Sequence, residues 1–240
     1  MTNKKKKVLI PMAGLGSRFQ KAGYTKPKPF IDVNGEKMIN LVLNDVISKD
    51  CDEAILVSLI ENNAKSELQD LNINNKSTTI KIIDLDKLTE GSLQTILAAE
   101  DYIKNCSLIL SNCDQKINFD VDDFLNSCDE VDGGLITFTS QNTHHSYVQT
   151  EDNIITNIIE KEVISNQAVA GVYYIKDANE FIKAAKSVIK FNKKEKGEFY
   201  VSSALQLLIY KGLKLISYNA ESIMLGTPEE LNAYLKENNE

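Results

Sequence analysis

The stretch VLIPMAGLGSRF, residues 8–19, decides the reading of this chain: a short apolar run passes into a loop with two glycines and then at once into an arginine. Val8–Pro11 has the composition of a buried strand. Gly14 and Gly16 leave the backbone N–H groups of Met12-Ala13-Gly14-Leu15-Gly16-Ser17 open to an anion, because no Cβ stands in its way. Arg18 adds a planar head with several donors. In physical terms this is a phosphate-handling loop. Phe19 occupies the third glycine position of a dinucleotide fingerprint, and no Gly-Lys-Ser/Thr follows, so neither a Rossmann dinucleotide site nor a Walker A loop is expected. Downstream, Pro27 and Pro29 flank Lys28 and restrict the backbone that carries it.

Outward from this loop, strand and helix signals alternate. Met38–Ser48 has helical spacing, Glu53–Leu59 reads as a buried strand, Asn62–Leu71 as a helix and Thr78–Ile83 as a third strand. Ser92–Ile103 reads as one helix and Ser107–Leu110 as a short buried strand. Such βαβ units imply a parallel sheet covered by helices, with ligands at the carboxyl ends of its strands. After Asp114 the pattern changes. Gly134–Thr139, Ser146–Gln149, Ile154–Ile159, Ala170–Ile175 and Leu213–Tyr218 are strand-like, whereas Ala178–Ile189, Ser202–Tyr210 and Pro228–Asn238 are helix-like. Lys190–Gly197 is a charged loop. The expected fold class is α/β and Rossmann-like: a mostly parallel central sheet with helices on both faces, more mixed in its second half. One domain over residues 1–240 is expected, with halves at 1–115 and 116–240.

Composition bounds the function. Of the 240 residues, 42% are hydrophobic and 25% charged, which is globular, and no apolar run reaches the ~20 residues of a membrane span. A net charge of −7 argues against a nucleic-acid binder, which needs a basic face. The basic start Met1–Lys7 precedes an apolar stretch too short for a signal sequence, so a cytoplasmic location is expected. Cys51, Cys106, Cys113 and Cys128 form no C-x-x-C pair and read as reduced thiols. The adjacent His144 and His145, read as strand residues, point to opposite faces and share no metal. Tyr173 and Tyr174 read as core and rim, and Lys4–Lys7 as a solvated start to the first strand.

The strand with its Gly-x-Gly-Ser-Arg-Phe loop, followed by KPKPFIDVNGEKMI over residues 26–39, resembles the nucleotidylyltransferases, or sugar-phosphate pyrophosphorylases, in particular those of capsular polysaccharide loci. The likeness is specific over residues 8–40. It continues more weakly through Thr89–Glu100, Asn112–Gln115, Ile159–Lys161, Ala170–Tyr174, Gly197–Ser203 and Gly226–Pro228, and so spans nearly the whole chain. The resemblance implies the fold of nucleotide-diphospho-sugar transferases, with a nucleotide-binding first half and an acceptor-binding second half. It implies a reaction in which a phosphorylated small-molecule acceptor, a sugar 1-phosphate or another phospho-compound, attacks the α-phosphorus of a nucleoside triphosphate and releases pyrophosphate.

Carried over residue by residue, the resemblance implies that Gly14–Ser17 cradle the triphosphate, Arg18 holds the leaving pyrophosphate and Lys28 neutralises the α-phosphate. Asp114 matches the carboxylate for Mg²⁺, and its place after the apolar run Ser107–Leu110 suits a carboxylate at a sheet edge. Glu90, Gly91 and Ser92 belong to the base-binding segment. Lys161 matches the lysine that grips the acceptor phosphate, Glu160 precedes it, Gly171 gives the acceptor room and Glu198 faces it. One departure stands out: Met224 occupies the position of a second metal aspartate, which leaves Asp114 with phosphates and water, or a neighbour such as Glu221. A carboxylate at Asp86 or Glu90 could accept from an exocyclic amino group, which favours CTP slightly, and the cytidylyltransferase branch includes enzymes that load phosphocholine or phosphoglutamine. The resemblance leaves a homo-oligomer open. Two alternatives remain: a glycosyltransferase, with Asp84-Leu-Asp86 as its metal motif, and a non-catalytic nucleotide-binding module, prompted by Met224.

Overall fold

The structure, a computed structural model, describes residues 4–237. The elements run β1 (Lys6–Pro11), α1 (Ser17–Lys21), β2 (Asp32–Val33), β3 (Glu36–Lys37), α2 (Met38–Val46), β4 (Glu53–Leu59), α3 (Ala64–Glu67), β5 (Thr79–Leu85), α4 (Ser92–Leu97), α5 (Glu100–Ile103) and β6 (Ser107–Ser111). They continue with β7 (Gln115–Asn118), α6 (Val121–Ser127), β8 (Gly133–Thr139), β9 (Ser146–Glu151), β10 (Ile154–Glu160) and β11 (Gln167–Ile175). The last are α7 (Ala178–Lys190), α8 (Val201–Tyr210), β12 (Leu215–Asn219), β13 (Glu221–Met224) and α9 (Pro228–Glu237).

Strands from both halves build one nine-stranded sheet, ordered β5-β4-β1-β6-β11-β8-β12-β10-β9. The first four are parallel. From β11 onward the sheet is mixed: β11 runs antiparallel to β6 and β8, and β12 is parallel to β8. The parallel part is the one expected from the alternation of strand and helix signals, and the mixed part follows the change of pattern after Asp114. Alternate residues of β1 serve the two faces. Leu9 packs with Leu93, Ile96, Phe181 and Leu205 on one side, whereas Val8 and Ile10 pack with Ile39, Val42, Leu43 and Phe124 on the other. Helices therefore cover both faces, because a central strand has no side that water can reach. A third, smaller core joins Phe19 of α1 and Met38 of α2 to Leu225 and Leu231.

The sequence expectations differ from the structure at several places. The Ser92–Ile103 helix is two helices, α4 and α5. Leu93, Ile96 and Ala99 are all buried at a spacing of three, tighter than the α repeat, and Ala99 N–H donates to the Ile96 carbonyl at 3.0 Å. Of the helix expected at Asn62–Leu71, only Ala64–Glu67 forms. The chain just after it is tied instead to residues far back in sequence: Asn74 N–H donates to Asn44 Oδ1 at 2.8 Å and the Asn75 side chain to the Ser48 carbonyl at 2.9 Å. The basic start does open the first strand, as read, and adds ion pairs to it: Lys6 and Lys7 belong to β1, Lys4 pairs with Asp177 at 2.8 Å and Lys7 with Glu53 at 2.7 Å. Asn238 of the expected closing helix and Met1–Asn3 of the basic start lie outside the described residues.

The antiparallel pair β7–β13 has no clear signal in the sequence. It sets Met224 opposite Gln115 and is followed by a 2.8 Å hydrogen bond from Leu225 N–H to the Asp114 carbonyl. Among the described residues no helix is long and apolar enough to cross a membrane.

Phe181 is fully buried between α7 and the sheet, so Phe181→Ala is expected to cost about 3–5 kcal/mol in urea unfolding. All four cysteines are free and buried, and burial pushes the Cys51, Cys106 and Cys113 thiols up to about 11 and Cys128 up to about 12. At pH 8 they are therefore thiols and poor nucleophiles. A disulfide-exchange reagent at pH 8 should leave the folded protein essentially unlabelled and modify all four thiols once denaturant is added.

Candidate active site

Parallel pairing of β1 with β6 places the carboxyl ends of both strands on one edge of the sheet. Beyond β1 runs the loop of residues 12–16, and beyond β6 comes Asp114. Lys28 reaches this edge from a tight turn at Lys28–Phe30, and its ammonium lies 2.8 Å from Asp114 Oδ2, with both side chains about one-fifth exposed. Burial works against the Lys28 charge, yet the adjacent Asp114 carboxylate outweighs it and holds the ammonium above the ordinary lysine range.

The pair lies in a cleft of about 600 Å³. Of the residues singled out in the sequence, Ala13, Gly14, Leu15, Gly16, Ser17, Arg18, Lys28, Gly91, Ser92, Asp114, Glu160, Lys161 and Glu198 line it. Met12 does not: it is buried and belongs to the core under the loop. Gly171 also lies outside the lining. It sits in β11 at φ +82°, and an added Cβ would fall 2.4 Å from Asn112 Nδ2, so the room it gives is to Asn112 and not to a ligand.

At the end formed by residues 88–95, Gly91 adopts φ +137° and an added Cβ would lie 2.5 Å from the Phe199 carbonyl oxygen. Phe199 N–H donates to the Glu90 carbonyl at 2.9 Å, and Leu93 N–H to the Phe199 carbonyl at 3.1 Å. The loop from one half is thereby clipped to a segment of the other. The Glu90 carboxylate takes Lys194 at 2.5 Å and Gln94 at 3.2 Å and does not line the cleft, nor does Asp86. The carboxylate expected to read a base is thus turned elsewhere. What this end presents instead includes the Thr89 and Thr95 hydroxyls, 2.6 Å apart.

Elsewhere along the cleft, Glu160 Oε2 accepts hydrogen bonds from Ser202 at 2.7 Å and from Ser146. Lys161 stands at φ +55°, and its ammonium donates to the Tyr200 hydroxyl while lying 4.3 Å from that ring's centroid. His144 and His145 precede β9 in a turn and both line the cleft, contrary to the strand reading that sent them to opposite faces. Tyr173 lines the cleft and is buried, whereas Tyr174 packs against Phe124 in the other core.

Glu221 does not replace the carboxylate missing at Met224. It lies exposed on β13, away from the cleft, and accepts from Asn118 at 3.4 Å. Glu230, from the first turn of α9, does face Asp114. A Cβ on Gly226 would meet Asp114 Oδ2 at 2.9 Å and Glu230 Oε2 at 3.6 Å, so the missing side chain leaves a gap between two carboxylates. Among the described residues no group of three or more His, Cys, Asp or Glu could hold a metal ion. Sequence reasoning missed Glu230, Ser146, Ser202 and Tyr200. Ser202 and Tyr200 sit inside the quoted Gly197–Ser203 segment, but only the fold shows that they serve Glu160 and Lys161. The Asp84-Leu-Asp86 motif is removed from this site: neither aspartate lines the cleft, and Asp84 pairs with Lys65 at 3.4 Å.

The glycine contacts separate two roles. Gly91→Ala, at positive φ and against backbone, is expected to lower stability by about 1–3 kcal/mol in urea unfolding. Gly14→Ala, with nothing within 4 Å of its added Cβ, should stay within about 0.5 kcal/mol of the parent.

The architecture matches known structures across nearly their full length. A nucleoside-diphosphate-sugar pyrophosphorylase from Vibrio cholerae superposes with a TM-score of 0.77 at 22% identity, covering 95% of this chain and 99% of its own. The inositol-1-phosphate CTP transferase from T. maritima gives 0.76 at 16% identity, covering 98% and 97%. A UDP-glucose pyrophosphorylase from Acinetobacter baumannii gives 0.73 at 16% identity, covering 97% and 92%. No curated protein matches the sequence. At these identities the likeness establishes the nucleotide-diphospho-sugar transferase fold, and the family assignment comes from the sequence itself. The nucleotidyl transferase family model matches residues 7–230, from the first lysines of β1 to Glu230 at the cleft, and the chain belongs to that family.

Proposed function

We propose that the protein transfers a nucleoside monophosphate from a nucleoside triphosphate to a phosphorylated small-molecule acceptor, a sugar 1-phosphate or another phospho-compound, releasing pyrophosphate. The observation that carries this reading is the cleft itself. It unites the Gly14–Arg18 loop, the Lys28–Asp114 pair and Lys161 in one cavity between the halves of the chain. Chemistry of this kind asks the protein for in-line positioning and stabilisation of charge on phosphate oxygens, and no nucleophilic side chain. An acceptor phosphate oxygen forms a bond to the α-phosphorus. The bond from that phosphorus to the oxygen bridging it to the β-phosphate breaks, and the electron pair leaves with pyrophosphate. The loop backbone cradles the triphosphate, Lys28 meets the α-phosphate oxygens, Arg18 holds the leaving group and Lys161 holds the acceptor phosphate.

Mg²⁺ fits the donor set. Asp114 and Glu230 border the gap at Gly226, and a hard cation takes one or two carboxylates with phosphate and water oxygens. Bound there, it would neutralise phosphate charge during transfer. The slight preference for CTP rests on a carboxylate at Asp86 or Glu90 accepting from the base, and neither lines the cleft, so the nucleotide is left to the assay. The product serves as an activated precursor for a surface polysaccharide, made in the cytoplasm. A second reading, nucleotide binding without catalysis, has one observation in its favour, the apolar Met224 in the lining.

Pyrophosphate release with Mg²⁺, using CTP, UTP, dTTP, GTP and ATP against hexose 1-phosphates, phosphocholine and phosphoglutamine, tests the proposal. Release confined to one nucleotide and one acceptor class is expected. Arg18→Ala and Asp114→Ala should each remove most turnover, at least about 100-fold, with an unchanged circular dichroism spectrum. Tight nucleotide binding with no pyrophosphate from any pair would favour the non-catalytic reading, and full activity in either variant would cancel that residue's role.

A further inference from the structure

We propose that His145 binds the acceptor phosphate beside Lys161, through an imidazole N–H; this rests on the nucleotidyl transfer reading of the same cleft. The chain has two histidines, adjacent in sequence, and the structure puts both in the cleft lining, on the turn before β9. His144 is exposed, whereas His145 is half-buried, its ring packed edge-on against Phe138 with centroids 5.2 Å apart. The backbone of His145 is fixed as well. Its N–H donates to the Asn142 carbonyl at 3.3 Å, and its carbonyl accepts from Lys161 N–H at 3.0 Å. That second bond extends the β9–β10 ladder one residue past the Ser146–Glu160 pair, so His145 and Lys161 are cross-strand neighbours that both line the cleft.

The surroundings of the ring leave it one task. Among the described residues it makes no hydrogen bond, and neither ring nitrogen is sealed from solvent. Burial holds the imidazole below the ordinary histidine range, against the pull of the Glu230 and Asp114 carboxylates, so the ring is neutral at pH 7. Nor does it complete a metal-binding group with those two carboxylates. What remains is a rigidly held neutral donor, open to the cleft beside the lysine that takes the acceptor phosphate. A phosphate monoester is mostly a dianion at pH 7 and needs no base to attack; it needs its other oxygens held in place. Lys161 supplies charge on a flexible stem, whereas the ring N–H supplies direction. The remaining cations of the lining, Arg18 and Lys28, serve the leaving group and the α-phosphate in the proposed transfer. A further cation at His145 would be drawn to Asp114 and Glu230 and would oppose a metal ion bound there, a conflict that a neutral donor avoids.

Nitrogen NMR of the full chain with labelled histidine tests this, because the protein shows two imidazoles, told apart by His144→Gln. Titration with glucose 1-phosphate, phosphocholine and phosphoglutamine should move the His145 ring signals with at least one ester and His144 far less. His145→Phe keeps a ring against Phe138 and removes the donor. With the nucleotide and acceptor that give pyrophosphate, it should raise the acceptor KM at least about tenfold, as for one hydrogen bond to a charged group, and change the nucleotide KM less than about twofold. At least one of His145→Asn and His145→Gln, whose amide N–H reaches the place of one ring nitrogen or the other, should restore the acceptor KM to within about threefold of the parent. A His145 ring unmoved by every ester, an unchanged acceptor KM in His145→Phe, or a loss that neither amide restores would overturn the inference. Pyrophosphate release decides the parent reading separately. Release with an unmoved ring leaves nucleotidyl transfer standing without this contact, a moved ring with no release from any pair keeps the phosphate contact and sinks the transfer, and silence in both sinks both.

Discussion

An ammonium and a carboxylate 2.8 Å apart, Lys28 and Asp114, lie at the sheet edge where the cleft is built. Their meeting depends on β1 and β6 running side by side in the same direction, so that the loop after one strand and the aspartate after the other emerge together. Pro27 and Pro29 fix the approach of Lys28 from a turn that packs Phe30 into the core. Both charges are partly withdrawn from water, and each is tolerable there because of the other. A phosphate chain entering the cleft can exchange one anionic partner of Lys28 for another and leave the Asp114 carboxylate to a cation.

Around that pair the backbone is arranged by clearance. Gly226 lets its backbone come close to the Asp114 and Glu230 carboxylates, and Gly171 lets β11 pass Asn112 where its register with β8 shifts between Val169 and Tyr173. Gly91 admits the Phe199 backbone, so that the loop at Glu90–Leu93 and the segment at Phe199 are joined by two backbone hydrogen bonds. Each of these approaches would put a Cβ under 3 Å from another atom. The cleft is therefore a place where segments far apart in the chain share backbone hydrogen bonds.

The polar groups along the cleft differ in kind. At residues 89–95 the Thr89 and Thr95 hydroxyls bond each other at 2.6 Å, and Thr89 also donates to the Gly91 carbonyl at 3.1 Å. Around Tyr200 stand the Glu198 and Glu160 carboxylates, the Lys161 ammonium and the charge of Arg18. Arg18, Lys28 and Asp114 line the same cavity. Its chemistry is electrostatic throughout, in keeping with a reaction whose charge sits on phosphate oxygens.

Local sequence determined the fold class, because apolar runs and glycines report their own burial and turn geometry. VLIP, EAILVSL and SLIL have no polar side and so had to be central strands, while Gly14–Arg18 and Lys28 between its prolines announced an anion site. The family motifs carried Lys161, Glu160, Glu198 and Asp114 into the same cleft. Tertiary structure decided what depends on two segments meeting. Glu90 looks available in the sequence and is engaged by Lys194, 104 residues away. Met12 sits within the loop motif yet turns into the core, and Glu221 is aligned along a strand that points it away. Glu230 gains its place only through β7–β13 pairing and the turn at Gly226, and Ser146 and Ser202 reach Glu160 from different strands and helices. The physical reason is the range of the forces. Hydrophobic period and turn chemistry act over a few residues, whereas ion pairs and hydrogen bonds select partners by distance in space, which only the packed chain defines.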